Sequence, residues 1–516
     1  MKLDRNNRDT IPLNKANMTC HRLRLPASLA GMTALGLVLA GCAVGPDYKR
    51  PAPMPHAAPP PAAFKEAEGW KQAEPSDAIS RKDWWTVFND PVLDELEAKV
   101  VVSNQNLAQS EAAYRQAMAT LDQQRATIFP TINGTGSGTR SQSPAGFTNS
   151  AGALGGARPI NTYTARVGLT WDVDVWGKIR RSIEAAKSTA QADYATLANA
   201  TLSAQTLVAA DYFQLRAADE AKRLLDDTVK GYSDDLRIAQ NRFNVGVGAR
   251  SDVLTAQTQL ESAQASAVDL VRTRQQLEHS IAVLTGSAPA DLTIQKATWN
   301  PTVPPVPVTL PSALLERRPD IAAAERQMQA ANAQIGINIA AYFPDLSISG
   351  QYGFQASTLQ KLIGVSSNSW SYGASLAQTI FDAGAISAKV RGSRAAYDAA
   401  VANYRQTVLT AFQGVEDNIA ALRVLQAEYD LNLASSRDAD EAERIANNQY
   451  QAGQVDFTTV VVAQNTALNA RRSVIQTASS RLVALVDLVQ AFGGGWSATE
   501  LAQVKQQPLF PGALIP

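Results

Sequence analysis

The sequence predicts a mixed α and β membrane protein with two structural repeats per chain and transmembrane strands too few to close a β-barrel alone. Three observations predict it. Landmarks recur at nearly one spacing along 516 residues. Two helical segments reach about 67 residues, roughly 100 Å at 1.5 Å per residue. Short segments alternate apolar and polar side chains as half-buried strands do.

Composition excludes several classes. Lys plus Arg equals Asp plus Glu at 47 each, so no overall field draws nucleic acid. The cysteines are Cys20 and Cys42, and the histidines His21, His56 and His279. Neither a zinc site of ordinary spacing nor a disulfide framework can be built from these in a mature chain. Nucleophile–base pairs, phosphate loops and cofactor motifs do not stand out, so no catalytic residue, metal or cofactor is expected.

Residues 1–41 read as a lipoprotein-type signal peptide. Arg22 and Arg24 precede the apolar run LPASLAGMTALGLVL, and Met18 is a second candidate start. That run makes a helix of about 22 Å, short of a roughly 30 Å hydrocarbon core. It closes on LAGC, which resembles the bacterial lipobox, making Cys42 the candidate lipidated residue. An incidental cysteine after an ordinary signal is the plainer alternative. Ala43 follows where an Asp would retain such a protein in the inner membrane, so delivery to the outer membrane is expected. Residues 42–93 then form a lipidated tether, Pro-rich from Pro51 to Pro61, and a belt segment.

The repeats run over 94–297 and 312–491, separated by a Pro-rich linker at 298–311 and followed by a tail at 492–516. TIFP at 127 answers AYFP at 341, an offset of 214; IAQNRFNVG at 238 answers IANNQYQAG at 445, an offset of 207. At 207 Gly177 also meets Gly384, and Gly286 meets Gly493. The seven-residue change falls between Pro130 and Gly177, a loop of differing length. Each repeat is expected to hold a helix (94–128 or 312–342), a strand pair, a 67-residue helix (178–244 or 385–451), a glycine turn, and a last helix (251–284 or 457–491). Ser251, Asp252 and Asp456 are the expected N-caps. The two shorter helices, set end to end, would match the long one beside them. Ile183, Ala186, Ala190, Tyr194 and Leu197 step by three and four, as a packed seam requires. A solvent-exposed coiled coil would show the same stepping.

In NTYTARVGLTW, Tyr163, Ala165, Val167, Leu169 and Trp171 share a face opposite Thr162, Thr164, Arg166, Gly168 and Thr170. Leu346, Ile348, Tyr352 and Phe354, and then Trp370, Tyr372, Ala374 and Leu376, repeat the pattern. TINGTGSGTR is glycine-rich and weaker. Strands of about ten residues with aromatics near their ends fit an outer-membrane barrel, although a soluble half-buried sheet alternates equally well. Four strands cannot close, and open edges are not tolerated in lipid. Either the sheet is soluble or several chains share a barrel.

CAVGPDYKRP at 42–51, WWTVFNDPVLDEL at 84–96, ERRPDIAAAE at 316–325 and FDAGAISAKVRGSRAAYDAA at 381–400 are similar to the TolC-like outer membrane factor family, in its OprM-like lipoprotein branch of RND-type efflux systems. The resemblance covers nearly the whole mature chain. It implies a homotrimer in the cell outer membrane: a trimeric 12-stranded transmembrane β-barrel continued by a long periplasmic α-helical barrel, with residues 62–93, 287–311 and the tail forming a belt. It implies a channel passing drugs or other small molecules from an inner-membrane RND-type transporter through a periplasmic adaptor protein. The tips that meet the adaptor fall on Gly246, Val247, Gly248 and Ala249, and on Gly453, Gln454 and Val455. A closed tip held between chains by an acid and a tyrosine maps to Asp252 and Tyr450. The family's arginine partner falls on Val455, and an acidic constriction on Thr459 and Val462, so a looser lock and weaker cation preference are expected. A type I secretion duct and a pore-less envelope lipoprotein are the competing readings.

Overall fold

The computed structural model describes residues 43–54, 59–67, 83–142, 159–297, 299, 301–304 and 316–503. The expected signal segment and Cys42 lie outside them, as do much of the Pro-rich stretches and the last residues of the tail. Helices α1 (Pro91–Ser103) and α2 (Gln105–Ala126) lead into strands β1 (Thr131–Ser141) and β2 (Ile160–Val173). The long α3 (Lys178–Asn244) and shorter α4 (Arg250–Leu284) complete the first copy. The second copy runs through α5 (Pro319–Ala340), β3 (Asp345–Ala356), β4 (Asn368–Ala377), α6 (Ala385–Gln451) and α7 (Phe457–Ala491).

α3 and α6 are both 67 residues long, on the expected bounds. No proline interrupts either, and each starts after a left-handed glycine, Gly177 (φ 82°) or Gly384 (φ 87°). Their first N–H groups are taken by a preceding carboxylate. Asp174 accepts from Ile179 N (3.0 Å) and Arg180 N (2.9 Å), and Asp382 from Gly384 N (2.8 Å) and Ile386 N (2.7 Å).

The expected helix over 94–128 is instead two helices. The chain is extended at Asn104 (φ −65°, ψ 121°), whose side chain accepts from Asn106 N (2.9 Å) and Leu107 N (3.2 Å) and so caps α2. The second copy breaks at Arg318 (φ −98°, ψ 123°), because Pro319 forces its predecessor out of the helical region. Residues 104 and 318 are again 214 apart. Each break is a splice. Asn104 Nδ2 donates to Leu284 O at the end of α4 (2.7 Å), and Arg318 Nη1 donates to Ala491 O at the end of α7 (2.8 Å). A Cβ on Gly286 would stand 2.0 Å from Ser103 O, and one on Gly493 2.2 Å from Arg317 O, so only glycine lets the spliced ends meet. The α2/α4 and α5/α7 pairs thus each run the length of a long helix.

The four strands form one antiparallel sheet in the order β1-β2-β3-β4. The helical wall has the same order: α2/α4 packs on α3, α3 on α5/α7, and α5/α7 on α6. Large side chains gather at mid-height, around the splices. Trp84, Leu93, Leu96, Val208, Tyr212, Ile281 and Leu482 form one cluster; Phe64, Ile321, Met328, Tyr404, Phe412, Val415 and Leu488 form another. Elsewhere the seams are built mainly from alanine, including Ala190, Ala195 and Ala239.

Candidate functional site: the helical wall and its terminal turns

The apolar faces expected of separate strands fall on one side of the sheet. Val167 pairs with Tyr352 and Tyr352 with Trp370; Trp171 pairs with Ile348 and Ile348 with Ala374. Ile132 of the glycine-rich β1 joins them through Leu169. That face is exposed on β1 and β4 and half-buried on much of β2 and β3, with Val167 53%, Trp370 67%, Tyr372 83% and Leu376 68% accessible. The opposite face carries Thr, Ser, Asn, Gln, Arg166, Asp172 and Asp345. No helix of the described residues is long and apolar enough to cross a membrane.

Where the strands meet the wall, residues 43–50 form a strap. Val44 N donates to Trp176 O (3.0 Å), and Asp47 receives Arg181 Nη2 (2.7 Å). Gly45 crosses Gly336 on α5, and Asn332 Nδ2 donates to Pro46 O (3.0 Å). Glu325 accepts from Tyr48 OH (3.3 Å) and pairs with Arg50 (3.1 Å). The residue after Cys42 therefore abuts Gly177, at the junction of strands and helices.

At the far end, two turns close alike. Gly246 (φ 78°) and Gly453 (φ 74°) end α3 and α6 in the left-handed region. The N–H groups of Val247 and Gly248 return to Arg242 O, both at 3.0 Å, and that of Gln454 to Gln449 O at 2.8 Å. Val245 and Val247 are left 72% and 67% exposed. Ala249, Gly453, Gln454 and Val455 complete the two turns.

The capping expectation holds for Asp456, which accepts from Thr459 N (3.0 Å) and Thr459 Oγ1 (2.8 Å). It fails for Ser251 and Asp252. The double return to Arg242 O brings the chain round early, so α4 starts at Arg250 with Ala249 at the cap. Asp252 lies inside the first turn, where its charge still suits the helix dipole, and receives Ser251 Oγ (3.4 Å).

Tyr450 is buried against Phe457 (centroids 5.4 Å apart) and beneath Arg242, whose Cζ lies 4.7 Å from its ring. Arg242 Nη1 also donates to Tyr450 O (3.4 Å). Burial pushes the phenol up; Arg242 opposes the shift, and Asp252 and Asp235 add to it. Within one chain Tyr450 is thus held by Arg242, while Val462 stands 61% exposed. Higher up, Gln464 Nε2 donates to Asp235 (2.6 Å), tying α7 to α3. Arg471 pairs with Asp440 (2.7 Å) and Glu443 (2.9 Å), tying α7 to α6. Neither Arg242 nor these clasps was singled out by sequence reasoning. The available signal was a cation one turn before a tip glycine.

The family described as "Outer membrane efflux protein" matches residues 98–287 and 310–494, one stretch for each copy. The chain belongs to this family. The outer membrane efflux protein is 30% identical over 487 residues to the probable efflux pump outer membrane protein TtgC of Pseudomonas putida, covering 93% of this chain and 98% of that one. It is 29% identical over 479 residues to the outer membrane protein OprJ of Pseudomonas aeruginosa, covering 92% and 97%. Among solved structures, the outer-membrane channel OprN is similar with a TM-score of 0.80 at 28% identity, covering 88% of this chain and all of that one. The CmeC outer membrane channel of Campylobacter jejuni shares the fold, with a TM-score of 0.82 at 23% identity and coverage of 90% and 97%. Like its relatives, this outer membrane efflux protein is an outer-membrane channel component of an efflux system.

Proposed function

We propose that three copies of this chain close into one passive conduit, a twelve-stranded barrel continued by a helical tunnel. The observation that carries the proposal is that sheet and wall end on the same two sides. Among the described residues, β1 and β4 present unpaired edges, and below them α2/α4 and α6 each present a flank with no helix packed on it. Apolar side chains stand exposed on those helices: Val268 and Val283 on α4, Val424 and Leu431 on α6. A sheet edge in lipid must be paired, and joining one chain's β4 and α6 to another's β1 and α2/α4 satisfies both needs at once.

The conduit would do its work by shape and surface rather than by catalysis. Small molecules would enter from an inner-membrane RND-type transporter through a periplasmic adaptor, whose ends meet the turns at Gly246–Ala249 and Gly453–Val455. Asp252 and Tyr450, with Thr459 and Val462, would line the gate. Cys42 would carry the lipid, which suits a strap that holds its neighbour at the foot of the barrel. Domain limits would follow the two copies at 94–297 and 312–491. The test is purification in mild detergent with mass measurement, adaptor capture, and drug susceptibility of a deletion strain. Trimers that retain an adaptor, and a strain sensitised to several compounds, are expected. Monomers with freely quenched tryptophans would refute the shared barrel.

A further inference from the structure

We infer that the barrel lumen carries a ring of three guanidinium groups, one Arg166 per chain, that favours anionic over cationic solutes where the conduit crosses the membrane. The inference rests on the trimeric channel proposed above. Arg166 lies at the middle of β2, on the polar face of the sheet with Thr162, Thr164, Gly168 and Thr170. Its neighbours across the sheet are Thr135 and Gly353, and Gly353 in turn pairs with Ser369. In a membrane barrel the apolar face meets lipid, which turns this face to the lumen.

Arg166 is the only charged residue in the middle of that face among the described residues. Asp172 and Asp345 share the face but lie at the helix end, and Asp172 is six residues away, about 20 Å along the strand. Arg140 pairs with Asn161 and so falls on the apolar face.

The side chain is placed by its neighbours. A Cβ on Gly353 would come within 2.6 Å of Arg166 Cγ, so the glycine supplies the space its stem occupies. Gln355 Oε1 accepts from Nη2 (2.7 Å), while Nε is enclosed and has no partner. A guanidinium anchored at one nitrogen keeps donors for a passing anion.

Twelve strands about 4.8 Å apart and tilted about 40° give a circumference of about 75 Å and a radius of about 12 Å. A solute inside is therefore within about one Debye length of the wall at 0.1 M salt, where a ring of like charges acts on it.

The test compares unmodified trimers with Arg166→Gln and Arg166→Lys by reversal potential in planar bilayers under a KCl gradient. It is paired with fluorescence titration of detergent-solubilised trimers with pyrenetrisulfonate. Arg166→Gln is expected to lower the chloride-to-potassium permeability ratio at least twofold and to weaken probe binding about tenfold at low salt; Arg166→Lys retains most of both. If Arg166→Gln does not assemble, Gln351→Glu, on the same face beside the Arg166 pair, gives the same reduction without touching the arginine. Trimers that form and show equal ratios and equal probe affinity with and without the charge overturn the ring and leave the conduit standing. Unmodified chains that remain monomeric overturn the conduit and the ring with it.

Discussion

Replacing Glu97 by glutamine should change how stability depends on pH. Glu97 lies on α1, fully buried, and neither carboxyl oxygen has a hydrogen-bond partner. Burial, with Asp94 adding, pushes its pKa from 4.5 to about 9. The folded chain therefore keeps a proton that the unfolded chain releases above pH 4.5. Stability then falls as pH rises between those values, by up to about 1.4 kcal/mol per pH unit, and levels off beyond the upper one. From about pH 5.5 to 8.5 this amounts to roughly 4 kcal/mol per chain. Glutamine cannot titrate, so the Glu97→Gln protein should gain on the unmodified one as pH rises. The assay is thermal unfolding followed by tryptophan fluorescence in detergent at about pH 5.5, 7.0 and 8.5, read as the difference between the two proteins. Parallel curves, or a glutamine variant that falls further behind at the alkaline end, would refute a proton held in this core.

Other outcomes follow from the same contacts. Asn104→Ala removes the α2 cap and leaves Leu284 O without its donor, a loss of about 2–4 kcal/mol from a cap worth about 1 and an orphaned buried group worth about 1–3; denaturant midpoints measure it, and an unchanged midpoint would sink the splice. Arg242→Ala uncovers Tyr450 and should raise the resting conductance of the purified channel, whereas Arg242→Lys, which keeps a cation near the ring, should raise it less. Arg181→Ala leaves Asp47 without its partner and should expose residues 43–50 to limited proteolysis, read from the size of the first fragment. Cys42→Ser should remove the acyl mass from the mature chain, as intact-mass measurement would show.

Much of the wall was legible in the sequence because its signals are long. Two 67-residue stretches without proline, each bounded by glycine, leave little choice but continuous helices, and Lys178–Asn244 and Ala385–Gln451 follow. The strand faces were legible because Tyr163 to Trp171 alternates without a slip. The splices were not read, since Asn104 sits inside a helical stretch that continues on both sides and its capping signal was passed over. The bond that splices Asn104 to the end of α4, from its Nδ2 to Leu284 O, joins positions 180 residues apart and leaves no local trace. Pro319 did mark the second break, and the 214 offset would have carried it back to the first. Arg242 over Tyr450 was hidden for the same reason: a contact between positions 208 apart leaves no local trace.

The strap has a consequence for the order of assembly. Its residues come early in the chain, yet their sockets lie far along it, at Arg181, Glu325, Asn332 and Gly336. Residues 43–50 must therefore wait, unseated, until well over half of the polypeptide is present. Seating them is a late event, and it reports that both halves of the molecule have arrived and met.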